Sequence, residues 1–485
     1  MTTRASKPRI AIIGAGFGGL CAAIQLSRAG YPDFFIVDKG SSVGGTWRDN
    51  VYPGAACDTP SFAYCFSFDQ KKDWTRKWAK QPEIVDYIER LAIKHDLLSR
   101  TRLGLSLEAA EHRDGRWQLT FSDGSTEAVD VLITSVGQLN RPKIPSIPGL
   151  ESFTGARFHT AEWDTRFDPR DKRVALVGTG ASAIQIVPEL APVAKELVLF
   201  QRSPNWILPK NDRVYGAAET LAFSHAPGLA RLYRSGLWLS YELRYGAIRE
   251  RPLFSTYARW LATRHLEAQV ADPDLRQKLT PSYPVAAKRV LISDDYYPAV
   301  CRSNVTLLAE PVSAIDATGL FDQAGRHYAA DAIVFATGFE TTSFLAPMRI
   351  VGPTGTTLDE TWRDGAEAYL GIRVSGFPNL FMTYGPNTNL GHNSILFMLE
   401  CQTHYIVRCL ELAERRGFSW TDVTPQAQAQ YNTWLQADLQ HTAWAKVDRS
   451  WYMTESGKIT NNWPRSTTEY WLRTRRVRER DLVGG

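Results

Sequence analysis

Two glycine clusters in this chain stand where a main chain could cradle a phosphate. The first is Gly14-x-Gly16-x-x-Gly19, directly after Arg9 and the apolar run Ile10–Ile13. Gly14 permits a tight turn, Gly16 lets the backbone approach a pyrophosphate, and Gly19 lets a helix pack closely on the strand. The N-terminus of that helix favours negative charge. Asp38 follows 24 positions after Gly14, where a carboxylate can accept hydrogen bonds from a ribose diol. The second cluster is Gly178-x-Gly180-x-x-Ala183, after Arg173–Val177. At the same offset it has Arg202 instead of an acid. An arginine cannot accept those bonds, but its planar fork suits a phosphate.

The first turn is therefore read as a site for FAD, whose ribose is unphosphorylated, and the second as a site for NADPH. Two such sites in one chain point to a flavoprotein that takes hydride from a nicotinamide. Gly44-Gly45-Thr46-Trp47, just past the second strand, would let a flexible backbone reach a flavin. Phe335-Ala336-Thr337-Gly338-Phe339 follows another apolar run and places small residues where the chain passes close to a ligand. Phe17, Lys39 and Tyr64 join the expected FAD site. Thr179, Ala181, Ser182, Gln185 and Ser203 join the expected NADP site, and Thr337, Gly338 and Asn387 complete the cofactor set. No metal site is expected.

These motifs need strands and helices to aim them. Arg9–Gly19, the helical pattern Leu20–Ala29 and the run Phe34–Val37 read as strand, glycine turn, helix and strand. Arg173–Ala183, Ile184–Leu190 and Leu197–Phe200 repeat that order. The fold class expected is α/β, with two Rossmann-like dinucleotide-binding domains and a helical insertion. Residues 1–140 and 338–485 are assigned to the FAD-binding domain, and 141–210 and 286–337 to the NADP-binding domain. Residues 211–285 form the insertion, because the stretch from Tyr215 to Leu279 lacks β-branched runs. Pro142, Pro145 and Pro148 mark a linker. Strand character returns at Val305–Leu308 and Ala332–Ala336, and Gly385–Cys409 begins as a loop and becomes a helix.

Composition sets the outer bounds. The 485 residues are 44% hydrophobic and 22% charged, with a net charge of +5, which suits a folded multidomain chain. No run of basic residues argues for nucleic acid; the C-terminal arginines are interrupted by Glu479 and Asp481. No apolar run reaches the roughly 20 residues that span a bilayer, so no membrane partner is expected. Six cysteines without a C-x-x-C pair or signal peptide read as reduced thiols of a cytoplasmic protein.

One segment narrows the reaction. Phe153, Gly155, His159, Trp163 and Asp164 form F-x-G-x-x-x-H-x-x-x-W-D, which resembles the fingerprint of type I Baeyer–Villiger monooxygenases. The resemblance extends from Gly14 to about Pro464 and is weakest in the helical stretch. It implies oxygen insertion beside a ketone through a flavin C4a-peroxide, with O2 and NADPH consumed and an ester or lactone formed, and sulfides also oxidised. Tyr52-Pro53-Gly54-Ala55-Ala56-Cys57-Asp58 is similar to the family's Y-P-G-A-x-C-D, which gives Asp58 a place near the flavin beside a catalytic arginine. Lys288-Arg289 resembles the family's Lys-Arg pair, the lysine for the 2′-phosphate and Arg289 for catalysis; Val290 stands where many members have proline. Ser450-Trp451-Tyr452 resembles the segment whose tryptophan touches the nicotinamide. The resemblance implies that His159 couples the domains rather than acting as a general base. The alternatives are an N- or S-hydroxylating flavin monooxygenase, a disulfide reductase using Cys57 and Cys65, and a flavoprotein that only senses NADPH. Neither the particular ketone nor the oligomeric state is encoded in these motifs.

Overall fold

The computed structural model describes residues 7–448 and 450–485; the polar N-terminal stretch 1–6 and Arg449 lie outside the described residues. Two five-stranded parallel sheets carry the two glycine turns. The first runs in the order Leu380–Met382, Val131–Thr134, Ile10–Ile13, Phe34–Asp38, Thr101–Leu103. The second runs Val305–Leu308, Glu196–Phe200, Arg173–Val177, Ala332–Phe335, Ala156–His159. Their central strands are apolar apart from Arg173 at the start of the second, because helices or sheets cover both faces, the pattern of buried parallel strands. Both turns emerge at the carboxyl ends of those strands, where open parallel sheets bind ligands.

The duplication reaches single hydrogen bonds. Gly14 N donates to Val37 O at 2.7 Å, and Gly178 N donates to Phe200 O at 3.0 Å. Ser135 N bonds Ile13 O at 2.7 Å, and Ala336 N bonds Val177 O at 2.8 Å. Each half also returns to its sheet through antiparallel strands that sequence reasoning overlooked. In the first these are Leu107–Arg113, Arg116–Phe121 and Thr126–Val129, with Arg349–Val351 added at one edge. In the second they are Ala314–Ile315, Gly319–Phe321 and His327–Ala329.

The stretch expected to be helical is so. Ala217–His225, Leu229–Leu243, Tyr245–Ile248, Pro252–Gln269 and Pro273–Leu279 are helices. Ile207–Leu208 and Leu291–Ile292 close the excursion as a short parallel pair. The loop-to-helix expectation at Gly385–Cys409 becomes the helix Ile395–Arg416, which ends at Gly417 in the left-handed region (φ 71°). It packs on the helix Phe17–Arg28, with Leu20, Cys21, Leu399 and Tyr405 in one buried cluster. No helix among the described residues is long and apolar enough to cross a membrane.

The base of the first half holds a titratable group. Asp422 accepts backbone N–H bonds from Gly376 and Val423, yet burial pushes its carboxyl up to about 6. The unfolded chain releases that proton near 3.8. The group therefore contributes stability below pH 4 that is lost as pH rises through 6. A shift of this size corresponds to about 3 kcal/mol. Asp422→Asn is expected to change its stability relative to wild type by about that amount between pH 4 and pH 8, with the variant favoured at high pH. Denaturant titrations across that range check it; parallel curves for the two proteins would refute it.

Candidate active site

One cavity of about 1700 Å³ opens between the two glycine turns. Pockets for a single small ligand run to ~300–1,000 Å³, so this one has room for more than one. Of the site residues read from the sequence, all but Gly19 and Asn387 line it. Gly19 lies beneath the turn, where a Cβ would stand 1.8 Å from Gly14 O, so its role is close helix–strand packing. Asn387 is buried away from the cavity. Its side-chain amide donates to Ile459 O and Asn462 O at 2.9 and 3.2 Å, and its N–H to Thr460 O at 2.7 Å. These bonds fasten a loop, and among the described residues its Oδ1 has no protein partner.

The turns explain their own glycines. Gly14 (φ 107°) and Gly178 (φ 101°) both occupy backbone conformations that side chains rarely adopt. A Cβ would lie 2.5 Å from Ser135 O in one and 2.5 Å from Ala336 O in the other. A Cβ on Gly180 would meet nothing within 4 Å, so the main chain there is open for close approach. Asp38 does more than await a ribose. Its Oδ2 accepts from Ala15 N at 2.7 Å, and its Oδ1 from Gly40 N at 2.8 Å and Arg48 Nη1 at 2.9 Å. A carboxylate has about four acceptor positions, so capacity remains for one hydroxyl of a diol. Arg48, which sequence reasoning missed, directly follows the Gly-Gly-Thr-Trp segment and also lines the cavity. Trp47 Nε1 donates to Tyr64 OH at 3.0 Å, bracing two of the expected FAD-site residues against each other.

On the second turn, Lys288 Nζ donates to Ser203 Oγ at 3.1 Å. Burial, then the field of Arg202, lower the Lys288 ammonium below the ordinary lysine range. Two cations with a hydroxyl, and among the described residues no carboxylate partner, make a donor set that suits a phosphate. Gln185 ties this half to the other: Nε2 donates to Ala56 O, and Oε1 accepts from Tyr52 OH, both at 2.9 Å. Gly54 is forced at that junction, since a Cβ would lie 2.4 Å from Gln185 O. This contact accounts for the Y-P-G-A segment. The residues present thus fit two dinucleotides, one against each turn.

Arg289 and Asp58 meet between these sites. Arg289 Nε donates to Asp58 Oδ2 at 2.8 Å, and Nη2 donates to the same oxygen. Among the described residues Nη1 and Oδ1 carry no protein hydrogen bond. Each side chain keeps a third of its surface accessible, toward the cavity. The Asp58 charge raises the Arg289 pKa further above its already high value. The strand Leu291–Ile292 anchors the chain just past Arg289: Leu291 N donates to Trp206 O at 2.9 Å. Val290 packs half-buried against apolar neighbours.

The nearby wall comes from residues with no motif. Tyr384, Asn389, Leu390, Asn393, Ile395 and Leu396 line it, together with Trp451. Trp451 is held by its carbonyl, which accepts from Thr341 Oγ1 at 2.6 Å and Asn461 Nδ2 at 3.2 Å. Glu242 of the helix Leu229–Leu243 clamps the wall from behind. It accepts from Asn393 Nδ2 at 3.0 Å, Thr467 Oγ1 at 2.7 Å, and the N–H and hydroxyl of Thr468 at 3.0 Å each. Burial raises its carboxyl, but the nearby His392 ring, 3.6 Å away, and bonds from Thr468 and Thr467 outweigh that and hold it at about 2.

The fingerprint lies outside the cavity. His159 is fully buried, its Nδ1 accepts from Ala161 N at 3.1 Å, and its ring packs on Phe339 at 5.6 Å. Burial lowers its imidazole pKa. Trp163 packs edge-on to Phe158 at 4.9 Å. A Cβ on Gly155 would strike Asp331 O at 2.5 Å. These residues brace an edge strand against the Ala-Thr-Gly segment, whose Gly338 and Phe339 do face the cavity. Cys57 and Cys65 are free, buried thiols whose pKa values burial pushes up, the opposite of a reactive redox pair.

Residues 7–348 match the flavin-binding monooxygenase-like family. A Baeyer–Villiger monooxygenase of Pseudomonas aeruginosa is 41% identical over 471 residues, covering 96% of this chain and 89% of the relative. Among solved structures, OTEMO in complex with FAD and NADP superposes with a TM-score of 0.87 at 26% identity, covering 100% of both chains. The closed form of cyclohexanone monooxygenase gives 0.88 at 26% identity, covering 99% of each. The chain belongs to the flavin-binding monooxygenase-like family and, within it, to the Baeyer–Villiger monooxygenases. It is an FAD-dependent NADPH monooxygenase.

Proposed function

We propose that this enzyme converts ketones to esters or lactones, and sulfides to sulfoxides, with Arg289 as the catalytic residue and Asp58 holding it in place. The observation that carries this reading is the Arg289–Asp58 pair, open to the cavity between two dinucleotide cradles. Residues 1–140 and 338–485 hold FAD through the first turn, Asp38, Lys39, Thr46 and Trp47. Residues 141–210 and 286–337 hold NADP(H) through the second turn, Arg202, Ser203 and Lys288. When bound, the nicotinamide supplies a hydride to the flavin, which then activates O2 for transfer to the substrate.

The protein's part is electrostatic and spatial. Arg289 cannot lose its proton at working pH, and Asp58 strengthens that hold. A fixed positive charge on the cavity wall stabilises the negative charge that develops on a ketone's carbonyl oxygen. Two donors on one Asp58 oxygen fix the guanidinium plane and leave Nη1 for the substrate. Trp451 and the wall from Asn389 to Leu396 keep water away from the reacting atoms. The cysteines, most of them buried, agree with a cytoplasmic location.

The test is product analysis under labelled O2, with NADPH and, in separate reactions, a cyclic ketone, a thioether and a tertiary amine. Lactone and sulfoxide each carrying one labelled oxygen atom are expected. Amine oxide without lactone would replace this reading with N-hydroxylation.

A further inference from the structure

The lining of the cavity passes from Asn205 directly to Lys288, so among the described residues the helical stretch places no side chain on it. The stretch reaches the cavity through a wall residue instead. Asn393 lines the cavity, and the helix Leu229–Leu243 holds its side-chain amide from behind: Nδ2 donates to Glu242 Oε2 at 3.0 Å and to Trp238 O at 3.4 Å. Asn393 Oδ1 accepts from Ser394 N at 2.8 Å. Two other polar side chains of this wall are fixed without the stretch. Tyr384 OH donates to Asn389 Oδ1, and Asn389 Nδ2 donates to Asn462 Oδ1, both at 2.7 Å.

Glu242 divides its contacts by oxygen. Oε2 faces the wall and takes Asn393 Nδ2 and Thr467 Oγ1, with His392 Nε2 at 3.6 Å. Oε1 faces the helix Thr467–Thr474 and takes the N–H and hydroxyl of Thr468. An ionised carboxylate only accepts, so Asn393 must turn its NH2 toward it; a flipped amide would set oxygen against oxygen. A glutamine could not serve in its place. With its NH2 toward Asn393 two donors would oppose, and with its NH2 toward Thr468 it would meet an N–H. The helix has other anchors on the same side. Arg234 Nη1 donates to Phe62 O and Cys65 O at 3.0 and 2.7 Å, and Trp238 packs on Phe397 at 5.9 Å. It therefore stays docked when Glu242 is changed.

We propose that Glu242 is a positioning residue: it fixes the face that Asn393 turns to the substrate, and thereby the orientation in which the substrate meets Arg289. The proposal rests on the oxygenation assigned above. Orientation decides on which side of a carbonyl the oxygen is inserted, and which lone pair of a sulfide is oxidised. It is therefore read in a product ratio. A variant that is merely less stable makes less of both products at an unchanged ratio.

The flavin-loaded enzyme is supplied with NADPH and, in separate reactions, an unsymmetrical cyclic ketone and a prochiral thioether. The two lactones and the two sulfoxide enantiomers are quantified. Glu242→Gln is expected to shift each ratio by at least ~3-fold, the order of one hydrogen bond. Glu242→Gln combined with Asn393→Asp should bring the ratios back toward wild type, because the new amide then donates to the new carboxylate while its oxygen keeps Thr468. Thr468→Val, which cuts a bond on the other oxygen, should leave them unchanged. If Glu242→Gln alone retained no flavin, Asn393→Asp, which sets two carboxylates face to face, takes its place in the comparison with the double variant. The proposal is overturned if Glu242→Gln gives wild-type ratios, if the double variant stays as far from them as the single one, or if Thr468→Val shifts them as much. A wild type that forms sulfoxide but no lactone would overturn the ketone reading alone, and the sulfoxide ratios would still decide this one.

Discussion

Arg289→Ala is expected to lose ester formation by ~10²–10³-fold, the usual cost of removing a fixed group that stabilises developing charge. NADPH oxidation should persist, with the consumed oxygen recovered as hydrogen peroxide rather than product. The split follows from position. Arg289 faces the cavity beside Asp58 and is absent from the donor set at the second turn, which Arg202, Ser203 and Lys288 supply. A purely structural ion pair would behave differently. With a third of each side chain accessible, its loss would cost ~1 kcal/mol or less of stability and leave the ratio of product to NADPH unchanged. Arg289→Lys separates charge from geometry: it keeps the cation but loses the fork that grips Asp58 Oδ2, so an intermediate rate is expected. Parallel product and peroxide assays decide. Ester formation by Arg289→Ala near the wild-type rate would remove Arg289 from the catalytic role.

The parts of this architecture that were legible in the sequence are those with local causes. A parallel strand buried on both faces must be apolar along its length, so Ile10–Ile13 and Arg173–Val177 stand out, and each must end in a turn that tolerates φ near 100°. One antiparallel return was legible and was overlooked: Arg116–Phe121 alternates polar and apolar strictly, with Trp117, Leu119 and Phe121 buried, whereas strands of three residues such as Gly319–Phe321 are too short to show a period. The wall clamp was invisible for another reason. Glu242 bonds to Asn393 and Thr467, 151 and 225 residues away, and no spacing along the chain encodes such a meeting. Asn387 was named from the sequence as a cofactor residue; its N–H and side-chain NH2 bond residues 459–462, and among the described residues its Oδ1 is left without a protein partner. Arg48 lay within reach of reasoning, since an arginine ten residues after a conspicuous acid is a natural partner for it.

Arg202 and Lys288 should decide which nicotinamide cofactor the enzyme accepts. Lys288 is held on Ser203, and burial together with Arg202 already makes its charge harder to keep. Two cations placed together without a carboxylate are a cost to the free protein that a dianion relieves, and the 2′-phosphate of NADPH is the dianion that NADH lacks. Charge-assisted hydrogen bonds of this kind contribute ~1.5–3 kcal/mol each, so Arg202→Ala is expected to raise KM for NADPH by ~10–100-fold. KM for NADH should change little, and kcat with saturating NADPH should hold. Lys288→Ala should act in the same direction. The double variant should fall short of the summed effects, because both residues would grip one phosphate. The pH dependence has a definite sign. Lys288 must be protonated to bind the phosphate, so KM for NADPH should rise with pH, beginning below the ordinary lysine range because the Lys288 pKa is lowered. Lys288→Arg should push that rise to higher pH. If Arg202→Ala weakened NADPH and NADH equally, the second turn would be binding the shared part of the cofactor alone, and the contrast between Asp38 and Arg202 would lose its meaning.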